Sequence, residues 1–423
     1  MKLNKYSIGI GDRFGQEGIA QLRGLQMAAE QGVHITPVWN KSNREHIIIG
    51  STPDDTRREA DHAVNALGWR APYLVDADHI SFSTVGRFLA SSDFFTIDVA
   101  DFIGHPPPAD AASTFLRAME RFRGDLVVPG IPEPVCVDQT LLEGVVRKYL
   151  GAVIAAGTVY REIARQRGSD TFVTEISFDE ADEPQSPAEL LFILAAISRE
   201  GIPVQTIAPK FTGAFLKGID YVGDIATFAR EFEQDVAVLA FAVNSFNLSS
   251  DLKLSVHSGS DKFSLYPVIH RVLRQSGAGL HLKTAGTTWL EELIGLAEAE
   301  GEGLRAARHI FAESWRRFDE LCQPYRSVIS IDRSRLPDVQ EVESWTGAHF
   351  AAVLRHDQTH ELFNRDFRQL LHVGYKVAAE MGPRFAVLLQ EHRSVIEKNV
   401  IENLYRRHLV PLYLGDDHNQ TRT

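Results

Sequence analysis

The sequence predicts an α/β fold, a (β/α)8 barrel of the TIM type with helical additions. Three observations lead there. Eight short apolar or β-branched runs alternate with helical patterns. Strands separated by helices pair in parallel through right-handed crossovers, and eight such units close a ring. Polar residues crowd at the ends of the eight runs, where a barrel carries its site. An open doubly wound sheet is the alternative. Its dinucleotide form needs a GxGxxG turn, and the nearest cluster, Gly9-Ile10-Gly11-Asp12-Arg13-Phe14-Gly15, has the wrong spacing. Asp12 would also repel a pyrophosphate.

The predicted strands, in order, are Tyr6–Ile10, His34–Trp39, Tyr73–Asp78, Phe95–Val99, Thr171–Ser177, Val204–Ala208, Lys253–His257 and Leu280–Thr284. Between the first two, Glu17–Gln31 sets Ile19, Leu22, Leu25 and Ala29 on one helical face. Asp54–Leu67 does the same with Ala60, Ala63, Val64 and Leu67. Ser186-Pro187-Ala188-Glu189 combines an N-cap, a proline at the first helical position and a capping-box glutamate, opening an apolar helix through Arg199. Asp224 is expected to cap a helix over Ile225–Phe246. Two segments exceed a minimal barrel. Residues 104–170, opening on His105-Pro106-Pro107-Pro108, read as a helical insertion after the fourth strand. Residues 301–423 read as a helical C-terminal extension, with a disordered tail over Asp416–Thr423. The whole of 1–423 is expected to be one barrel domain.

Composition narrows the class. The chain of 423 residues has 44 Lys+Arg against 56 Asp+Glu, a net charge of −12, with 44% hydrophobic and 24% charged residues. Such a length buries a full core without disulfides. An acidic balance argues against a nucleic-acid partner, which needs clustered cations. No apolar run approaches the ~20 residues of a membrane span. The N-terminus lacks the apolar segment of a signal peptide. Cys136 and Cys322 fit reduced thiols. A cytoplasmic enzyme is expected, with its assembly, a homo-oligomer included, left open.

The strand ends carry the chemistry. They hold Asp12 and Arg13; Lys41, Ser42 and Arg44; Asp78 and His79; Asp98; Glu175, Ser177 and then Asp179; Gln205 and Lys210; His257, Ser260 and Lys262; and Lys283. Charged groups inside a barrel are costly unless paired, hydrated or metal-bound. His79, His257 and Glu175 are candidates for a divalent cation such as zinc, manganese or nickel. Lacking HxH or HxxxH spacing, these ligands must converge from separate strands. Asp78 has the position of a base. Asp220, in the turn Lys217–Asp224, reads as a ligand or as an ordinary turn former. Asp12, Arg13, Lys41, Ser42, Arg44, Gln205, Lys210, Ser260 and Lys283 are the candidate substrate contacts, the cations among them suiting an anionic small molecule.

Several of these segments resemble the tagaturonate/fructuronate epimerase family, the hexuronate C4-epimerases. They include Tyr6–Gly15, Thr36-Pro37-Val38-Trp39-Asn40-Lys41-Ser42-Asn43-Arg44-Glu45-His46, Val75-Asp76-Ala77-Asp78-His79-Ile80, Asp93–Asp101, Ala208–Gly213, the Lys217–Asp224 turn, Ser255-Val256-His257-Ser258-Gly259-Ser260-Asp261-Lys262 and Leu371-His372-Val373-Gly374-Tyr375-Lys376. The resemblance implies a metal-dependent barrel acting on a ketohexuronate. It implies Asp78 as proton acceptor and His79 and His257 as metal ligands. Glu175 is then ligand, proton donor or both, with Asp220 in reserve. No nicotinamide is expected. Other metal-dependent sugar isomerases or aldolases on the same barrel, and a non-catalytic sugar-acid binder, are the competing readings.

Overall fold

The computed structural model describes residues 1–284 and 287–415, Thr287 by its backbone alone. The tail expected to be disordered lies outside the described residues. The eight predicted strands all form: β1 (Tyr6–Ile10), β2 (Ile35–Ser42), β3 (Leu74–Ile80), β4 (Phe94–Asp98), β7 (Val173–Ser177), β8 (Thr206–Ala208), β9 (Lys253–His257) and β10 (Leu280–Lys283). They close a barrel in the order β1-β10-β9-β8-β7-β4-β3-β2, every pair parallel. A small antiparallel hairpin, β5 (Gly124–Leu126) and β6 (Val135–Val137), lies apart from the ring.

Strand alternation sorts the side chains by chemistry. One set, including Ile8, Ile10, Ile35, Trp39, Val75, Phe95, Ile97, Ile176, Ile207, Leu254, Val256, Leu280 and Leu282, belongs to the main hydrophobic core shared with the helices. The alternate set faces the axis. At the N-terminal end it forms a small apolar plug of Leu3, Val38, Leu74, Phe94 and Val173. Beside this plug Lys253 donates through Nζ to the carbonyls of Leu3, Asn4 and Lys5. His281 Nδ1 lies 2.9 Å from Ser7 Oγ. Above it the axis turns ionic, with Asp76, Thr96, Glu175 and Lys283 all buried.

The predicted helices form where their signals stand. Gly18–Glu30 and Pro53–Ala66 follow β1 and β2. Pro187–Arg199 begins with both halves of the Ser186/Glu189 capping box in place. Asp224 accepts the Thr227 N–H at the start of Ile225–Phe246. Residues 104–170 hold the helix Ala109–Met119, the hairpin, and helical turns from Gln139 to Arg167 that contain one π-helical stretch and lead into β7. So this region is not wholly helical.

After β10 the chain builds a second hydrophobic core from Trp289 to Val400. It then returns to the barrel. The last helical segment, Glu402–Leu414, packs against Gly18–Glu30 and Tyr266–Ser276. Leu404, Leu409, Leu412 and Tyr413 join the main core there, and Tyr413 meets Tyr6 at 4.8 Å between ring centroids. Among the described residues no helix is long and apolar enough to cross a membrane. Both cysteines are free.

Candidate active site

The site opens at the C-terminal ends of the strands. Its base is Lys283, whose Nζ lies 2.8 Å from Asp76 Oδ2, 2.8 Å from Asp78 Oδ1 and 3.0 Å from Glu175 Oε1. It also donates to Thr96 Oγ1. Three strands thus share one buried ammonium. Burial would push Lys283 down, but the three carboxylates outweigh it and hold the ammonium well above its ordinary range. Burial likewise favours the neutral form of Asp78, yet Lys283 and His79 prevail and hold its carboxyl at about 2. Asp76 is the member left over: burial raises it to about 7, against the pull of Lys283.

Two imidazoles stand above this triad. His257 Nε2 is 2.9 Å from Glu175 Oε1. Its Nδ1 lies 3.1 Å from Asp179 Oδ2 but is not aligned for a hydrogen bond. His79 Nδ1 contacts Asp98 Oδ2 at 3.2 Å, and its Nε2 is 3.8 Å from Asp78 Oδ1. The rings meet edge-on, 5.1 Å apart at 71°. Burial works against both cations, and the neighbouring carboxylates, Asp78 for His79 and Asp179 for His257, reverse it: His79 rises to about 10 and His257 rises too.

His79 is delivered by a backbone device. The β3–β4 register shifts between Ala77 and Ile80, and His79 has φ +50°. A regular strand would send Asp78 and His79 to opposite faces. The irregularity brings both to the mouth. Left-handed backbone is uncommon for a non-glycine residue and costs on the order of 1–3 kcal/mol.

One nitrogen of each imidazole is therefore backed by a carboxylate, Glu175 behind His257 and Asp98 behind His79. One ring nitrogen of His79, one of His257 and a carboxylate oxygen of Asp179 fall within 4.8 Å of one another. An orphaned buried Nδ1, two imidazoles and a carboxylate, with outer carboxylates fixing the rings, suit zinc, manganese or nickel. A second group, His79, Asp98 and Glu180, shares His79 but is more exposed.

The other expected residues divide. Arg13 is near the mouth but fully engaged: Nε is 3.2 Å from Glu45, NH1 donates to the His372 carbonyl at 3.0 Å, NH2 is 3.2 Å from His372 Nε2, and Tyr375 lies beneath at 4.0 Å. Ser42 caps the helix Asn43–Ile49 in a box with that same Glu45. Arg44 is exposed over the Tyr325 ring. Ser260 accepts the Gly218 N–H at 2.9 Å. Lys41 points away from the axis to Glu59, 3.7 Å away. Gln205 accepts the Thr174 N–H between strands, and Lys210 donates to the Ala181 carbonyl. Asp220 is spent on Tyr221, Ser264 and Gln358 and joins neither donor group. Asp12 accepts from the amides of Phe14, Gly15 and Glu17. A pyrophosphate on this glycine cluster would have to displace it.

Asp179 stands among the polar residues that follow β7 in the sequence, but neither it nor Glu180 stands out there as a donor, because both lie in a loop, where a carboxylate has no register to mark its direction. Asp179 is held locally by Ser177 of β7, whose hydroxyl donates to it.

A parallel barrel with buried carboxylates, an ammonium and imidazoles gathered at its C-terminal mouth has the layout of the barrel enzymes. Residues 1–412 match the UxaE tagaturonate epimerase family, and the chain belongs to that family. It is 27% identical over 415 residues to a tagaturonate/fructuronate epimerase of Thermotoga maritima, covering 95% of this chain and 79% of that protein. The glycerol-complexed crystal structure of fructuronate-tagaturonate epimerase UxaE from Cohnella laeviribosi superposes with a TM-score of 0.80 at 24% identity, covering 97% of this chain and 82% of that one. The native form of that enzyme gives 0.79 at the same identity and coverage.

Proposed function

We propose that this chain is a cytoplasmic, divalent-cation-dependent epimerase interconverting D-tagaturonate and D-fructuronate at C4. The observation that carries the proposal is the convergence of two carboxylate-backed imidazoles with Asp179 beside an ionised Asp78. Family membership supplies the substrate class.

The chemistry restricts the route. With the ketone at C2 and the carboxylate at C6, C4–H is β to the ketone, and its removal would leave an unstabilised carbanion. Retro-aldol cleavage avoids this. Asp78 accepts the C4 hydroxyl proton, the C3–C4 bond breaks, and its electron pair passes through C2 to the ketone oxygen. The aldehyde carrying the carboxylate then turns its other face, C3 re-adds, and Asp78 returns the proton. A divalent cation held by His79, His257 and Asp179 would supply Lewis acidity toward the substrate oxygens when bound. Glu175, fully buried behind His257, fixes that ring, while Lys283 holds Asp78 ionised and in place. The walls must keep both fragments together and water out.

The test is metal-stripped protein incubated with D-fructuronate, with and without zinc, manganese or nickel, tagaturonate being followed by NMR. Restoration by one metal is expected. Asp78→Asn and His79→Ala, checked for folding, should lose about 10²- to 10⁴-fold in turnover. Full activity after verified metal removal would sink the cation's role. Loss of C4–H to solvent during turnover would exclude the retro-aldol route.

A further inference from the structure

Lys217 is a cation near the mouth that has no ion pair among the described residues. Its backbone is pinned from both sides. The Lys217 N–H donates to the Val328 carbonyl at 2.8 Å, and its own carbonyl accepts from Gln369 Nε2 at 2.9 Å. The neighbouring residues are held as firmly. Leu216 O accepts from Lys262 Nζ at 3.0 Å, Gly218 N donates to Ser260 Oγ at 2.9 Å, and Gly218 O accepts from Arg368 Nε at 2.7 Å. Lys262 and Arg368 are both buried, and Arg368 is itself locked to Asp261 at 2.8 Å. Gly218 has φ +79°, and a Cβ there would press on His372 and Arg368.

Such anchoring fixes the backbone of a residue whose own ammonium makes no ion pair or hydrogen bond among the described residues. Nζ lies over Gly259, where an added Cβ would come 3.7 Å from it. Glu45 feels its charge but is already occupied by Arg13 and Ser42. Glu180, of the group around His79, feels it too. Burial, with Arg13 and Arg44 adding to it, pushes the Lys217 ammonium below its ordinary range against the pull of Glu45 and Glu180. A half-buried cation among cations, with no counter-ion of its own, calls for an anion from outside.

We infer that Lys217 is the anchor of the substrate's carboxylate. The inference rests on the preceding reading of the substrate as a ketohexuronate and assigns a residue to its distal end. Of the rim cations the sequence offered for this task, Lys41 and Lys210 are already engaged elsewhere, and Arg44 lies exposed over the Tyr325 ring. Lys262 and Ser260 act on Lys217 by holding its loop. The anchor suits the chemistry, because after C3–C4 cleavage the aldehyde fragment is the one that carries the carboxylate and must be kept while it turns.

The experiment compares wild type, Lys217→Met and Lys217→Arg. Binding of D-fructuronate and of D-fructose, its neutral counterpart, is measured by ligand-observed NMR, and KM and kcat are measured for D-fructuronate. Lys217→Met should weaken D-fructuronate binding about 10- to 100-fold, the range of a hydrogen bond to a charged group. It should leave D-fructose binding within about twofold, and Lys217→Arg should recover most of the loss. Wild-type affinity for D-fructuronate in Lys217→Met overturns the inference. So does an equal loss for D-fructose, which would mark a structural role, or a wild type that binds both sugars alike. A wild type that binds D-fructuronate tightly yet never epimerises it refutes the proposed activity and leaves the Lys217 comparison fully readable.

Discussion

One ammonium among three carboxylates sets the charge state of the whole mouth. Lys283 keeps Asp78 ionised, holds Glu175 under His257, and leaves Asp76 as the carboxyl nearest to protonation at neutral pH. His281, one pleat below on the same strand, takes the opposite course. Burial, with Lys283 adding to it, drives its pKa down to about 3, so the ring is neutral in the fold. In the unfolded chain it titrates near 6.5, so the unfolded state binds the extra proton between those values. The stability this ring contributes is complete above about pH 6.5 and is lost as pH falls toward 3. Relative to a His281→Gln variant, the wild type should therefore lose up to a few kcal/mol between pH 7 and pH 4. Parallel thermal melts of the two proteins over that range would contradict this. At this scale Asp78, His257 and Lys283 were legible in the sequence as candidates, since each ends a strand on a register that alternation fixes. His79 was named beside them, but alternation alone would turn it to the opposite face, and only the irregularity in β3 brings it to the mouth. Lys217 and Asp179 were not marked as site groups. Both stand in loops: the Lys217 loop is held by Gln369 and Arg368 from the far end of the chain, and Asp179 by Ser177 and the neighbouring His257.

The elements show which local signals survive packing. All eight strands were legible because the outward set is mostly apolar, broken only by residues such as Lys41 and Thr174, and the turns between are well marked. The capping box at Ser186 was equally plain. Ser186→Ala should remove the Glu189 N–H acceptor and cost about 1 kcal/mol in chemical denaturation, leaving kcat unchanged, because the helix lies outside the barrel wall. A loss of activity without a loss of stability would show that this helix reaches the site in a way its contacts do not. The break in β3 was hidden: nothing in Asp76-Ala77-Asp78-His79-Ile80 signals left-handed backbone, and a regular strand fits the same residues. The hairpin β5–β6 was hidden as well, its three-residue strands being too short to show a period.

Over the whole molecule the barrel is inverted relative to an ordinary core, with ions on the axis above a thin apolar plug and the apolar surface outside under the helices. The C-terminal extension completes it. Its inner residues brace the mouth through His372, Tyr375 and Arg368, which is what the Leu371–Lys376 motif does in the fold. Its last helical segment lies between the helices after β1 and β9, covering the outer seam where β10 meets β1. Leu409 is fully buried in that seam, and Leu409→Ala should cost about 2–5 kcal/mol in thermal unfolding. An unchanged melting temperature would mean the segment is only draped over the barrel. The position of this segment also sets an order of events during synthesis. The ring of strands is fully made once Lys283 has left the ribosome, but its final seam waits for Leu409 and Tyr413, after the entire second core has been translated. Until then the β1–β10 joint is an uncovered apolar groove. Chains that stall or are clipped late are therefore the hazardous ones: they present a finished sheet with no cover, and chaperones should engage the nascent protein most strongly over that last stretch.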